Sequence, residues 1–188
     1  MENLSDEELF TKVQKGSKES MEIIVKRYYK NIFRYIYMKI GEYHTGEDLC
    51  QEVFCKVYNK RKTYSSKYPV KVWIYKIAHN IIVDYFRSKK AKEKKNTVEL
   101  KYDMEEKNNI IEIELFKNNI EDLTEGLNEN QKEVVNLRFK DQLTLEEIAS
   151  VTNSSKNTVK TRLYSGIKYI KNKLKKRKED YLENERIE

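Results

Sequence analysis

A continuous apolar stripe in residues 21–40 constrains the fold of this chain more than any other feature. Its members recur at helical spacing, and they are Met21, Ile24, Val25, Tyr28, Ile32, Phe33, Ile36 and Ile40. Only an α-helix brings such positions onto one face. The segment ends at Gly41, and glycine is typical of the position that follows a helix. The pattern therefore predicts a long amphipathic helix that must pack against other elements.

The rest of the chain favours the same kind of element. One Pro and five Gly occur among 188 residues, of which 37% are charged. This composition is poor in the residues that hairpin turns need and suits helices joined by short polar loops. Ser5 and Glu8 form a capping box before a first short helix, and Asn128 and Gln131 form another. We expect an all-α fold with two small helical domains.

The charges separate into blocks along the chain. Residues 1–96 carry 21 Lys and Arg against 12 Asp and Glu, residues 97–130 carry 3 against 10, and residues 131–178 carry 13 against 4. Two basic blocks favour two contacts with nucleic-acid phosphates, although a generally Lys-rich solvated surface is an alternative. We place domains at residues 1–92 and 127–178, an acidic flexible linker at 93–126 and a charged tail at 179–188.

A compact polar stripe lies on the helix predicted to start at Thr45 and to run to about Arg61. On one side of this helix fall Leu49, Cys50, Val53, Phe54 and Val57. On the other side gather Asp48, Gln51, Glu52, Cys55 and Asn59. We expect the first set to be buried and the second to form a surface.

A polar and aromatic loop, TYSSKYPV, follows at residues 63–70. Its Pro69 suits the first turn of the next helix. The core face predicted for that helix consists of Ile74, Ile77, Ala78, Ile81, Ile82 and Tyr85. The opposing stripe consists of Trp73, Lys76, Asn80, Asp84 and Arg87.

Residues 143–174 have the layout of a helix-turn-helix. A short helix with Leu145, Ile148 and Ala149 directed inward precedes the turn-forming residues 153–155, and a second helix follows. Its inward face is predicted to hold Val159, Leu163, Ile167, Ile170 and Leu174. Such motifs place the second helix in the DNA major groove, although a plain helical hairpin with a basic surface is the alternative. We expect this helix and its cap to contact DNA through Ser155, Lys156, Asn157, Lys160, Thr161, Arg162, Tyr164 and Lys168.

Three strings, in this order along the chain, resemble motifs of the extracytoplasmic-function (ECF) sigma factors. DLCQEVF resembles D-L-x-Q-E-x-F, and WIYKIAHNIIVDYFR resembles W-x-Y-x-I-A-x-N-x-x-x-D-x-x-R. TLEEIA with TVKTRLYSGIKYIKNKL resembles the C-terminal DNA-binding unit. The resemblance implies a region 2-like and a region 4-like domain in a transcription initiation factor. Such a factor binds core RNA polymerase, recognises the minus-10 and minus-35 promoter elements and promotes DNA melting.

The resemblance also implies roles for the surfaces. Asp48, Gln51, Glu52 and Asn59 would dock on the clamp helices of the largest polymerase subunit. The second helix of the helix-turn-helix would read the minus-35 element. The minus-10 element would be read by Tyr64, Ser65, Ser66, Lys67, Tyr68, Lys71, Trp73, Lys76, Asn80 and Arg87, through stacking, hydroxyl contacts and backbone charge. For Trp73 and Asn80, packing roles are equally open.

Further partners follow from the same resemblance. They are the polymerase flap, promoter DNA and, as a candidate only, an anti-sigma factor. The acidic linker either mimics RNA on its path from the active centre or is a simple tether. The serious alternative function is that of a helix-turn-helix regulator of another class, which would bind duplex operator alone and normally as a dimer.

Catalytic and metal chemistry find little support in the sequence. It contains no Gly-rich phosphate loop and no Cys-His or Ser-His pairing of recognisable spacing. Cys50 and Cys55 would point apart on a helix, and neither His44 nor His79 completes a metal spacing. We expect reduced thiols, no metal or cofactor and no enzymatic activity. No apolar run approaches the roughly 18 residues of a spanning helix, which predicts a cytoplasmic protein without membrane insertion.

Overall fold

The computed structural model describes residues 3–93 and 123–184, and it is built from helices. They are α1 (Asp6–Gln14), α2 (Lys18–Ile40), α3 (Tyr43–Asn59), a 3-10 turn (Arg61–Thr63), α4 (Val70–Glu93), α5 (Glu129–Phe139), α6 (Leu145–Val151) and α7 (Lys156–Asn184). Within these ranges there is no strand, and no helix is long and apolar enough to cross a membrane. The all-α prediction is confirmed.

The described residues form two compact units. The first contains residues 3–93 and 146–154, and the second contains residues 123–145 and 155–184. Residues 94–122, which hold most of the predicted acidic linker, lie outside the described residues, as do residues 185–188 of the predicted tail. Helix α7 continues beyond residue 178 to Asn184. The domain boundaries at 92, 126 and 178 stay predictions.

Side-chain caps define several helix ends. Both predicted capping boxes are present: the Ser5 hydroxyl accepts from the Glu8 amide at 3.2 Å, and the Asn128 side chain accepts from the Gln131 amide at 3.0 Å. Gly41 ends α2 with φ 75°, a left-handed conformation that glycine adopts without steric cost.

Helix α3 begins earlier than predicted. Its N-cap is Glu42, whose carboxylate accepts hydrogen bonds from the His44 amide at 2.9 Å and from the Thr45 amide at 2.8 Å. The prediction that this helix starts at Thr45 is wrong. The longer Glu42 side chain already reaches the amide groups that a helix leaves unsatisfied at its start.

Helices α1 to α4 pack around one apolar core. The predicted stripes supply most of it, including Ile24, Ile32, Ile36, Cys50, Val53, Phe54, Val57, Ile74, Ile77, Ala78, Ile81 and Ile82. Tyr75 is also fully buried, and its ring centroid lies 5.5 Å from that of Tyr35. Burying each large apolar side chain contributes about 1.5–3 kcal/mol, so this core fixes the orientation of α3 and α4.

Helices α5 and α7 pack closely in the second unit. A Cβ built on Gly166 would lie 2.8 Å from Val135 Cγ2, so the absence of a side chain allows the approach. Leu174, which was predicted to face inward, is 46% exposed, and the apolar Phe139 is 56% exposed. Phe139 is the last residue of α5, and Leu174 lies in the second half of α7. Helical spacing alone does not reveal whether a neighbouring element covers a face.

Candidate nucleic-acid interface

The polar stripe of α3 is a surface. Asp48, Gln51, Glu52 and Asn59 are all exposed, while Cys50, Val53, Phe54 and Val57 on the other side are buried. The Glu52 carboxylate lies 2.6 Å from Lys56 Nζ one helical turn further on. The stripe therefore offers carboxylate and amide oxygens to a partner, partly neutralised at Glu52.

The two cysteines of α3 differ in their chemistry. Cys50 is buried and Cys55 is exposed, and both are free thiols. Burial raises the pKa of the Cys50 thiol to about 12, with a smaller contribution from the charge of Glu47. The Cys50 thiol is therefore protonated and packs as a small apolar group.

The loop between the 3-10 turn and α4 is closed by its own residues. The Tyr64 hydroxyl donates to the Tyr68 carbonyl at 2.9 Å. Between these two residues Ser65, Ser66 and Lys67 are exposed, whereas Tyr64 and Tyr68 are half-buried. The predicted minus-10 loop thus consists of an exposed tip, residues 65–67, and a base that carries both tyrosines.

Pro69 lies immediately before α4, outside the first turn in which it was expected. Its carbonyl accepts from the Trp73 amide at 3.2 Å, which is the role of a residue that caps a helix N-terminus. Proline is suited to this point because the chain must leave the extended loop and enter a helix with a restricted φ.

Three aromatic rings pack together at the base of the loop. The Phe10 centroid lies 5.0 Å from Tyr64 and 5.3 Å from Trp73, and Tyr64 lies 5.4 Å from Trp73, all with edge-to-face geometry. Desolvation raises the pKa of Tyr64, and the negative charge of Glu7 adds to the effect. The Tyr64 hydroxyl therefore keeps the proton that it donates to Tyr68. Trp73 is half-buried in this cluster, so packing accounts for part of its surface.

Helix α1 also supports the loop, and no sequence pattern predicts this contact. Gln14 Nε2 donates to the Arg61 carbonyl at 3.0 Å and to the Tyr64 carbonyl at 3.1 Å. Glu7 Oε1 accepts from the Val70 amide at 3.3 Å. These partners lie 47, 50 and 63 residues apart along the chain, so no local pattern marks them.

The outward face of α4 continues the polar surface from the loop along the helix. Lys71 and Lys76 are half-buried, and Asn80 and Arg87 are exposed. The Arg87 guanidinium lies 3.3 Å from the Asp84 carboxylate, one turn earlier on the same helix. The ten predicted minus-10 residues therefore all retain exposed surface on the loop or on α4.

The predicted minus-35 residues gather at the start of α7. In the preceding turn Asn153 has φ 49°, a left-handed conformation that asparagine tolerates. Ser155 caps the helix by accepting from the Thr158 amide at 3.0 Å. Arg162 is half-buried, and the other residues of the set are exposed: Ser155, Lys156, Asn157, Lys160, Thr161, Tyr164 and Lys168. Lys160 Nζ lies 5.9 Å from the Tyr164 ring centroid, which places a cation beside an exposed aromatic surface.

Two family models match the chain. The model for Sigma-70 region 2 matches residues 24–92, and the model for Sigma-70, region 4, matches residues 117–170. Together they cover more than half of the chain, in the order that the sequence motifs predict.

Curated relatives cover almost all of the sequence. The chain is 27% identical over 175 residues to the ECF RNA polymerase sigma factor SigW of Bacillus subtilis, covering 87% of this chain and 93% of the relative. It is 25% identical over 187 residues to the ECF RNA polymerase sigma-E factor of Escherichia coli, covering 92% of this chain and 96% of that protein. The likeness therefore extends across both motif-bearing regions.

Solved structures agree on the fold. A structure of CnrH in complex with the cytosolic domain of CnrY has a TM-score of 0.64 at 16% identity, covering 90% of this chain and 97% of CnrH. The sigma factor RpoE in complex with the anti-sigma factor NepR from Bartonella quintana has a TM-score of 0.62 at 16% identity, covering 82% of this chain and 96% of RpoE. With the family models and the relatives in agreement, the chain belongs to the ECF sigma factors of the sigma-70 family, and it is a transcription initiation factor that directs RNA polymerase to promoters.

Proposed function

We propose that this sigma factor has three binding surfaces, each with its own partner. The α3 stripe binds the clamp helices of core polymerase, the loop at residues 64–68 together with the outward face of α4 binds the minus-10 element, and the start of α7 binds the minus-35 element. The observation that carries this proposal is exposure: every residue assigned to the three surfaces is exposed or half-buried. The apolar residues that alternate with them form the core.

The chemistry of each surface suits its assigned partner. Carboxylate and amide groups on α3 complement an Arg-rich helical surface. Hydroxyls at the loop tip can read the edge of an extruded base, and Lys67 can follow the strand backbone. Lys, Asn and Thr side chains at the start of α7 can contact base edges and phosphates in the major groove.

We extend the proposal to the parts of the chain that join these surfaces. Domains at residues 1–92 and 127–178, joined by an acidic linker at 93–126, would let polymerase set the distance between the two DNA-binding units. Two weak contacts then become one bivalent engagement. We also propose a contact between the C-terminal domain and the polymerase flap, a cytoplasmic location and no catalytic activity of its own, as for a subunit that lends specificity to an enzyme.

An anti-sigma factor is a further proposed partner. RpoE has been crystallised in complex with the anti-sigma factor NepR. On α4 of this chain, Val83 and Phe86 are 40% and 44% exposed, one turn apart on the same side of the helix. Exposed apolar side chains at that spacing suit a partner helix.

Permanganate footprinting and gel shifts, each with and without core polymerase, test the proposed division. The promoter is the strongest one recovered by run-off transcription from a genomic library. We expect weak duplex binding by the free protein, and melting at the minus-10 element only when core is present. Tight sequence-specific binding by the protein alone, with no core-dependent melting, would overturn the proposal.

A further inference from the structure

We propose that α1 positions the minus-10 loop, with Gln14 holding the first end of the loop and Glu7 holding the second. The inference rests on the proposed minus-10 role of the loop and adds residues to which no promoter role has been assigned. In this arrangement the bases are selected by the tip, residues 65–67, and Tyr64 acts as an anchor of the loop.

Gln14 fixes the point at which the chain leaves the 3-10 turn. Its amide nitrogen has two N–H groups, and it donates to two carbonyls, those of Arg61 at 3.0 Å and Tyr64 at 3.1 Å. The turn's own hydrogen bond at this point is long, since the Tyr64 amide lies 3.4 Å from the Arg61 carbonyl. Gln14 therefore fixes the direction of the backbone at Tyr64, where the loop begins.

Glu7 holds the other end, where the loop enters α4. Its carboxylate oxygen accepts from the Val70 amide at 3.3 Å, one of the amides that a helix leaves without an internal partner. Glu7, Phe10 and Gln14 fall within about 60° of one another around α1. One face of this short helix thus presents the Gln14 donor to the first end of the loop and the Glu7 acceptor to its second end. Between them, the Phe10 ring packs on Tyr64 and Trp73.

The attachment of α1 itself does not depend on these two polar side chains. Leu9, Phe10 and Val13 are fully buried. Asp6 binds α2 through the Arg27 guanidinium at 2.6 Å and through the Tyr28 hydroxyl. Gln14 and Glu7 are therefore free to serve the loop, and their removal should alter the loop more than the docking of α1.

Holding both ends lowers the cost of ordering the tip when it captures a base. The ring contacts of Phe10 with Tyr64 and Trp73 and the Tyr64–Tyr68 hydrogen bond fix the base of the loop before DNA arrives. Preorganisation of this kind increases discrimination, because a wrongly shaped base cannot be accommodated by moving the loop.

The test compares transcription from two promoters. One is the strongest promoter recovered by run-off transcription, and the other carries a single base change in its minus-10 element. Full-length protein is assembled with core polymerase, and both transcription rates are measured well below the melting temperature. The ratio is the rate from the unchanged promoter divided by the rate from the promoter with the base change. Loss of folded protein lowers both rates equally, so the ratio reports on base selection and not on stability.

Gln14→Met removes the donor while keeping the length of the side chain. We expect the ratio to fall by about fivefold, the value of one lost hydrogen bond, with core affinity unchanged. Thr11→Val is the matched control, because it removes a donor on the same helix whose acceptor, the Glu7 carbonyl at 2.8 Å, lies within α1. Its ratio should equal that of the wild type.

A second pair of variants keeps the inference testable if Gln14→Met folds poorly. Glu7→Gln retains the acceptor oxygen for Val70 and should keep the ratio, whereas Glu7→Met should lower it by about twofold to fivefold. If Glu7→Gln and Glu7→Met both keep the wild-type ratio, the second end of the loop does not need Glu7 and that part of the inference is wrong.

A tip variant separates failure of the inference from failure of the proposed function. Ser65→Ala with Ser66→Ala should also change the ratio. If the tip variant changes the ratio and Gln14→Met does not, the loop reads the minus-10 element without help from α1, and the inference fails alone. If the tip variant leaves the ratio unchanged, the minus-10 assignment itself is wrong and the positioning role falls with it.

Discussion

Gly166 of α7 faces Val135 of α5 so closely that a Cβ on Gly166 would lie 2.8 Å from Val135 Cγ2. Valine is stiff about χ1, so its methyl group cannot turn away without strain. Helices α5 and α7, which support the proposed minus-35 surface, can thus pack this closely only because residue 166 has no side chain.

We expect Gly166→Val to destabilise the second unit by about 1–3 kcal/mol, the usual cost of overpacking. Thermal unfolding followed by circular dichroism measures this loss. Gly46→Ala is the contrasting variant, because a Cβ there would lie 3.4 Å from the Phe33 ring, an ordinary contact. Helix propensity should then raise stability by up to about 1 kcal/mol. Equal stability of Gly166→Val and wild type would contradict the tight crossing.

The start of α7 provides a test of minus-35 recognition. Changing Lys160 and Thr161 to Ala should lower transcription from a promoter with a minus-35 element by about tenfold or more, since each good base contact contributes about 1–3 kcal/mol. Core binding should be unchanged. Lys171→Ala removes a charge from an exposed position further along the same helix and should have a smaller effect. Full activity and unchanged sequence preference of the double variant would show that this face does not read DNA.

Charge reversal on α3 tests core binding. Asp48→Lys combined with Glu52→Lys should abolish co-purification with core polymerase, because like charges across an interface cost several kcal/mol. The chain offers a matched control in Glu22, which pairs with Lys26 at 2.7 Å as Glu52 pairs with Lys56 at 2.6 Å. Glu22→Lys loses an equivalent surface pair on α2 and should still bind core. Core binding by the folded double variant would remove the stripe from the interface.

The thiols of α3 give a pH-dependent prediction. At pH 8 a thiol reagent should modify Cys55 rapidly and Cys50 only on unfolding, because Cys50 is buried with its pKa raised to about 12. An unfolded cysteine ionises near pH 8.5. The folded chain therefore holds a proton that the unfolded chain releases, and the contribution of Cys50 to stability falls as the pH rises from about 8.5 toward 12. Mass spectrometry after a short reaction locates the label, and rapid labelling of native Cys50 would contradict the burial.

Local periodicity predicts the helices and most of their faces well. The two faces of α3 divide into buried and exposed residues as expected except at Leu49, which is half-buried, because burial follows from spacing once a helix packs on a core. The exposure of Phe139 and Leu174 was not predictable, since their spacing is helical but the covering element is a matter of tertiary structure. The Glu42 cap was missed because glutamate is a less common cap than threonine.

The contacts that support the loop could not be predicted from local periodicity. Tyr64 was predicted to contact bases, and nothing nearby in the sequence indicates that its hydroxyl closes the loop onto Tyr68. Gln14 could not be singled out, because a polar residue near the end of an amphipathic helix is ordinary in a sequence and its partners lie 47 and 50 residues away. Such contacts join backbone groups to distant side chains, and they follow from the assembled fold alone.

The bonds that close this loop have backbone atoms as their partners: the carbonyls of Arg61, Tyr64 and Tyr68 and the amide of Val70. None of them involves the side chains of Ser65, Ser66 or Lys67, which form the tip. These bonds therefore do not depend on which side chains stand at residues 65–67. Changes at residues 65–67 should leave these four bonds in place, although Lys67 Nζ also lies 5.8 Å from the Tyr68 ring centroid. A library randomised at these positions would show which promoter sequences the proposed minus-10 loop can be made to accept.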